Sequence, residues 1–259
     1  MGAAALVAPY LPLPFAPAAP DLAYISVSPT AGAAVGHWLG TDPLGRDVLA
    51  NLVFGSRTVL LLTLPAALLT TLLGGVLGGL TGGWGSRAGL LGWLDGLVLA
   101  AGAMLSTVPR LLLVVAVAAG GRLSTTGLLA LLVLTSWPGP ARLVRAEALR
   151  VRVRPFVEAA RVLGLPVGRV WWRHVMPLAV RPLLVDLPLS LAGLIGLEST
   201  LSFLGVGLAP DEASWGRLIS AARLDLSAWW AAALPMALLS LTILALRALA
   251  GRPFRNGVD

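Results

Sequence analysis

The chain has no cysteine, no lysine, two histidines and two tyrosines, and 12% of its 259 residues are charged. Without cysteine there is no disulfide framework, and His37 and His174 are too few for a tight transition-metal site. Without lysine there is no phosphate loop of the form GxxxxGK[ST], so ATP hydrolysis by this chain is not expected. A serine–lysine pair, a histidine-rich metal set and a paired aspartate motif are also missing, which argues against an intramembrane enzyme. What is present is apolar: 57% hydrophobic residues and a mean hydropathy of +0.87. Soluble domains are about 45–50% apolar and about 25% charged, so this composition belongs to a membrane protein and excludes a disordered one.

Val59 to Leu80 is a run of 22 residues without a charge, long enough at about 1.5 Å per residue to cross a hydrocarbon core of about 30 Å. A second span is expected from Trp93 to Ala119, kinked or broken at Pro109 and Arg110. Thr125 to Pro138 is short but apolar, Pro182 to Phe203 is apolar apart from Asp186 and Glu198, and Ser227 to Leu246 carries no charge. The count is five spans.

All 19 basic residues are arginine, and nine of them lie between Arg142 and Arg181 against two acids, Glu147 and Glu158. Basic residues in short loops are retained on the cytoplasmic side, so this segment is expected to be cytoplasmic. Alternating outward puts Gly82 to Arg87 and the tail from Arg247 inside. The amino-terminal region, the turn near Arg122 and the loop Gly205 to Asp225 then lie outside. His37 and His174 fall on opposite sides. Retention explains the charge without nucleic acid, because the basic segment sits between spans and is interrupted by apolar stretches.

Within that segment, PFVEAARVLGLPVGRVWWRHVMP (Pro155 to Pro177) is punctuated as two short helices and a turn. Pro155 suits a first helical position, Gly164 a left-handed end cap, Pro166 a restart and Pro177 an end. Ala159 and Ala160 are small enough to let another protein's surface approach. Glu158, Arg161, Arg169 and Arg173 offer charge at the same contact. The rival reading is a helix lying on the lipid interface with Trp171 and Trp172 as its aromatic anchor.

The spacing of Glu158, Ala159, Ala160, Gly164 and Pro177 resembles the "EAA" loop of permease subunits of bacterial ATP-binding-cassette (ABC) importers. Three further segments resemble the C-type permeases of the dipeptide, oligopeptide and nickel importers: HWLGTDPLGRDVLANLVFGSR (His37 to Arg57), ESTLSFLGVGL (Glu198 to Leu208) and SWGRLI (Ser214 to Ile219). The resemblance implies an all-α, polytopic transmembrane bundle of the type I importer kind. It implies that Glu158, Ala159, Ala160, Arg161, Gly164 and Pro177 form a coupling helix docking on a cytoplasmic ATPase. It also implies a homologous second permease, two ATPase subunits that use ATP and Mg, an extracytoplasmic binding protein, and a place in the bacterial inner or plasma membrane; no cofactor is expected on this chain. Substrates would be di- or oligopeptides, nickel or related small solutes. The alternative is a degenerate permease acting as a non-transporting scaffold.

The chain departs from that pattern at Pro210-Asp211-Glu212-Ala213, at Val175-Met176-Pro177, and at its start. The opening MGAAALVAPYLPLPFAP resembles at most the outer end of a first span, so an upstream start or a truncated copy is expected. The resulting division is 1–36 as an extracytoplasmic segment, 37–58 as the GTDPLGRD segment, 59–249 as the permease domain with its coupling loop at 142–181, and 250–259 as a cytoplasmic tail.

The remaining polar residues divide by position. Asp95, Asp186 and Glu198 lie in or beside apolar spans, where an ionised carboxylate must face protein or water; they either line a pathway or act as interhelical partners, with Arg110 a candidate counter-ion. Gly74, Gly78 and Gly82, and Gly75, Gly79 and Gly83, form ladders that permit close helix packing, within the subunit or against a partner. Asp42, Arg46 and Asp47 read as hydrogen-bonding and capping groups, with Thr41 or Asp42 capping the following helix. His37 reads as a loop residue, His174 as a coupling-loop surface residue, and Trp229-Trp230 as an aromatic belt.

Overall fold

The computed structural model describes residues 15, 19–84, 90–120, 124–209 and 212–251. Expectations placed on nearly all of the opening segment, on the turns at Arg87 and Arg122, on Pro210-Asp211 and on the tail from Arg252 lie outside the described residues.

Among the described residues the chain is all-α. Helix α1 (Val48–Thr58) runs through a five-residue π-helical segment, Val59–Thr63, into α2 (Leu64–Trp84). Next come α3 (Leu90–Thr107) and α4 (Arg110–Ala119), then α5 (Thr125–Ser136) and α6 (Pro138–Val151). Among the described residues four helices are long and apolar enough to cross a membrane, and the α3–α4 pair, bent by 86° at its break, makes five when counted as one broken span. Pro109 explains the break, since it lacks an N–H and disfavours helix at the preceding residue. The first span begins at Val48 rather than Val59, because Asp47 supplies the helix cap. The third does not stop at Pro138: Trp137 keeps helical angles and the helix continues to Val151, carrying Arg142, Arg145 and Arg150 with it.

The chain divides into two compact units. The first takes its residues from the segments up to Ala66, Val114–Ala130 and Leu191–Leu246. Its core joins Val48 and Leu52 of α1 to Ile195 of α10 (Leu183–Phe203), Trp215 and Leu218 of α11 (Trp215–Ala221), and Trp230 and Ala231 of α12 (Trp230–Ala250). The GTDPLGRD segment is wound into this core. Asp42 accepts from the amides of Leu44 and Arg46, each at 2.9 Å, and its other oxygen pairs with the Arg46 guanidinium at 2.7 Å. The helix cap is therefore Asp47, accepting from Ala50 N at 2.6 Å, and neither Thr41 nor Asp42. Thr41 instead donates its hydroxyl to the Tyr24 carbonyl and accepts from Val27 N at 2.9 Å. His37 is no ordinary loop residue: it is 1% exposed, its Nδ1 donates to Asp47 at 2.8 Å, and it stacks on Phe15. Leading into α12, hydrogen bonds from Ser227 hold the exposed Asp225 carboxyl below the usual carboxylate range. Trp230 is buried in the core rather than placed in an exposed belt, while its neighbour Trp229 is exposed.

Candidate functional site

The second unit takes its residues from Ala67–Leu113, Leu131–Ser190 and the segment from Arg247, and it contains the hairpin. Helix α7 (Pro155–Val162) opens with Pro155 at its first position and Glu158 in its first turn, where a carboxylate complements the positive helix end. It closes at Gly164, whose φ of +78° is left-handed. Gly164 N donates to Arg161 O at 3.0 Å and Leu165 N to Ala160 O at 3.3 Å, the paired bonds of a Schellman cap. Pro166 then caps α8 (Val167–Val170), which continues through a π-helical segment, Trp171–Val175, into α9 (Met176–Ala179). Pro177 thus lies inside the second arm and does not end it, just past the π-helical segment Trp171–Val175.

One face of the hairpin is the unit's own core. Val157, Ala160, Val170, Val175 and Ala179 pack with Val144, Ala148 and Val151 of α6. Ala160 is therefore turned inward and does not offer its small side chain to a partner. The outward face carries exposed Glu158, Ala159 and Arg161 beside Phe156, Val162 and Leu163, the last two 82% and 81% exposed. Apolar side chains so exposed, ringed by charge, mark a contact surface. His174 is half-buried.

The glycine ladders dock this unit internally. A Cβ on Gly74 would lie 2.8 Å from Trp137 O, and one on Gly78 would strike the Ala141 carbonyl. Gly82 faces Ala148, and a Cβ on Gly83 would lie 3.0 Å from the indole of Trp171. Trp171 is thus half-buried against glycine instead of anchoring a lipid-surface helix, whereas Trp172 is 61% exposed.

The three intramembrane carboxylates each have partners within their own unit. Asp95 meets Arg145 at 3.3 Å, so its counter-ion is Arg145 and not Arg110. Asp186 accepts from Ser190 at 3.0 Å. Glu198, 2% exposed, accepts from Ser202 at 2.7 Å and Ser214 at 2.9 Å. The SWG triplet explains itself here. Ser214 caps α11 and holds Glu198; Trp215 donates to Leu52 O at 3.0 Å; Gly216 lets α11 approach the Ser199 main chain. Sequence reasoning missed Arg145 and Arg142 as span residues. The signal was the helical continuation past Pro138, where Pro138 and Pro140 stand in a register the helix tolerates.

A set of helices long and apolar enough to cross a membrane several times, with a hairpin charged on its outward face, is the architecture of a multi-pass membrane protein. The family described as "Binding-protein-dependent transport system inner membrane component" matches residues 74–256. A putative peptide permease protein of Brucella suis biovar 1 is 36% identical over 214 residues, 82% of this chain and 67% of that one. A putative peptide transport system permease protein of Brucella abortus biovar 1 is 34% identical, covering 86% and 73%. A probable peptide ABC transporter permease protein of Sinorhizobium fredii is 38% identical, covering 73% and 63%. The solved MetNI methionine ABC transporter, in inward-facing conformations, shares the fold with a TM-score of 0.57 at 20% identity, covering 77% of this chain and 94% of that one. The chain belongs to the binding-protein-dependent transport system inner membrane component family, and is a permease component of an ABC importer.

Proposed function

We propose that the chain forms part of the path by which an ABC importer moves peptides or related small solutes into the bacterial cytoplasm, across the inner or plasma membrane. Peptide is preferred over nickel because the relatives are named as peptide permeases. A homologous permease completes the path, an extracytoplasmic binding protein delivers solute, and two ATPase subunits bind ATP with Mg and dock on the hairpin. The observation that carries this reading is the outward face of α7, with Glu158, Ala159 and Arg161 beside exposed Val162 and Leu163. ATP-driven closure of the ATPases would move this face, and solute would bias the cycle by binding the two access states unequally.

The test reconstitutes the four-subunit importer with its binding protein and measures solute-stimulated ATP hydrolysis and peptide uptake. Glu158→Arg is expected to abolish stimulation; undiminished coupled uptake by that variant would remove the docking assignment. Uptake by neither wild type nor variant, with the complex assembled, would favour a non-transporting scaffold.

A further inference from the structure

Among the arginines of the second unit that the sites described so far leave unused, two share one cavity. Arg110 and Arg142 both line a cavity of about 280 Å³, together with Ser106, Pro109, Thr135 and Ser136, and no carboxylate lines it among the described residues. Arg110 donates Nη1 to Ser136 Oγ at 3.1 Å, and Arg142 donates Nη1 to Ser106 Oγ at 3.0 Å. Neither arginine makes an ion pair among the described residues. Three acids of the same unit are matched elsewhere, Asp95 by Arg145, Glu147 by Arg150 and Asp186 by Ser190, and Glu158 lies on the exposed outward face of α7.

A guanidinium carries five N–H donors and no acceptor, so one bond to a serine leaves most of each planar fork unspent. Ser106 spends its own O–H on Gly102 O at 2.7 Å and Thr135 spends its own on Leu131 O at 2.8 Å, so the donors left at the polar end of the cavity are chiefly the two guanidinium groups, which also carry its positive charge. It also sits at a broken span, where α3 and α4 bend by 86° and Arg110 is the first residue of α4. An arginine in a span is costly unless it faces protein or water, and interrupted spans are where membrane transporters build polar sites.

We propose that this cavity is an anion subsite on the solute path, in which Arg110 and Arg142 together take a carboxylate of the transported solute. Ser106 and Ser136 hold the two guanidinium planes in place for it. This rests on the reading of the chain as a solute permease. The chemistry itself, an oxyanion held by paired guanidinium groups, would also suit a lipid phosphate, and the experiment separates the two.

The assembled importer is placed in nanodiscs of phosphatidylcholine, and phenylglyoxal labelling of Arg110 and Arg142 is followed by peptide mass spectrometry. Glycylglycine and its carboxy-terminal amide are the probes. The dipeptide is expected to slow labelling of both arginines about threefold at twice its dissociation constant, and the amide to leave it unchanged. Equal labelling with and without dipeptide overturns the proposal. So does protection by phosphatidylglycerol nanodiscs with none from the dipeptide, which would make this a headgroup site. In Arg142→Gln, protection of Arg110 is expected to disappear; its persistence would overturn the joint site. Because labelling needs no transport, a failure of peptide uptake would count against the permease reading and leave the anion site to be judged by protection.

Discussion

The indole N–H of Trp230 donates to the main-chain carbonyl of Thr41 at 3.1 Å, joining residues 189 positions apart. The contact is close because position 40 is glycine: its φ is +74°, and a Cβ there would lie 2.9 Å from Trp230 Nε1. Trp230→Phe keeps most of the ring and loses the donor, leaving a buried carbonyl unpaired. A loss of about 1–3 kcal/mol is expected, read as a lowered midpoint of thermal unfolding in detergent. Gly40→Ala should cost more, since it adds left-handed strain to the clash. An unchanged midpoint in Trp230→Phe would show that the bond contributes nothing.

Glu198 is held chiefly by hydroxyls, with Arg217 a weaker Coulombic partner, so its shape and hydrogen bonds matter more than its charge partner. Glu198→Gln retains an acceptor for Ser202 or Ser214 and should preserve folding. Glu198→Leu strands both hydroxyls in a buried site, and a loss of about 2–4 kcal/mol is expected for two unsatisfied groups. Expression level and thermal midpoint compare the two variants. Equal loss in both would mean that the carboxylate is required for a reason other than these bonds.

Two glycines of the second unit stand at opposite extremes of crowding. On Gly78 a Cβ strikes the Ala141 main chain, which cannot rotate away, whereas on Gly96 a Cβ meets no atom within 4 Å. Gly78→Ala is expected to destabilise by about 1–3 kcal/mol through overpacking. Gly96→Ala is expected to be neutral or to gain up to about 1 kcal/mol of helix propensity. Chemical unfolding of the two single variants checks the sign of each.

Local grammar made much of this structure legible in advance. The Leu163-Gly164-Leu165 and Leu204-Gly205-Val206 triplets share one cap geometry, with φ of +78° and +77° at their glycines and the same pair of return bonds. Pro109 marked the break, and the four-residue glycine spacing marked close packing. What escaped was tertiary. Whether Pro138 ends a helix or rides inside one depends on what the neighbouring turns pack against, and the wrong choice there hid Arg142 and Arg145 from the apolar spans. His37 looked like a loop residue because burial of an imidazole follows from Asp47 and Phe15 being brought to it, not from its own neighbours. The outward and inward faces of α7 differ by one residue in sequence, so Ala159 and Ala160 cannot be told apart without the α6 core behind them.

Asp95 and Arg145 test how far an intramembrane pair holds its unit together. The contact is 3.3 Å, with side-chain exposures of 10% for Asp95 and 24% for Arg145. Removing either partner leaves a poorly solvated charge, expected to cost about 3–5 kcal/mol in the buried limit and less here because Arg145 retains solvent access. Asp95→Ala combined with Arg145→Ala should cost less than the two single losses added. Strict additivity in a double-mutant cycle of unfolding free energies would show that the two charges do not act as a pair.

Hairpin variants can distinguish a docking surface from a structural one because its two faces are cleanly divided. Val157 is fully buried against α6, while Val162 and Leu163, on the outward side, are more than four-fifths exposed. Placing a carboxylate at Val157 forces an unpaired charge into the unit's core, so Val157→Glu should lower the thermal midpoint of the isolated chain and its yield together. Val162→Glu and Leu163→Glu place the same charge in water, and the stability of each should stay within about 0.5 kcal/mol of wild type. If the outward face receives the ATPase, the same two variants should weaken co-purification of that subunit at least tenfold, a loss of about 1.4 kcal/mol or more. The decisive comparison is within one preparation: retained stability with lost ATPase association assigns the face to docking, and retained stability with full association removes that assignment.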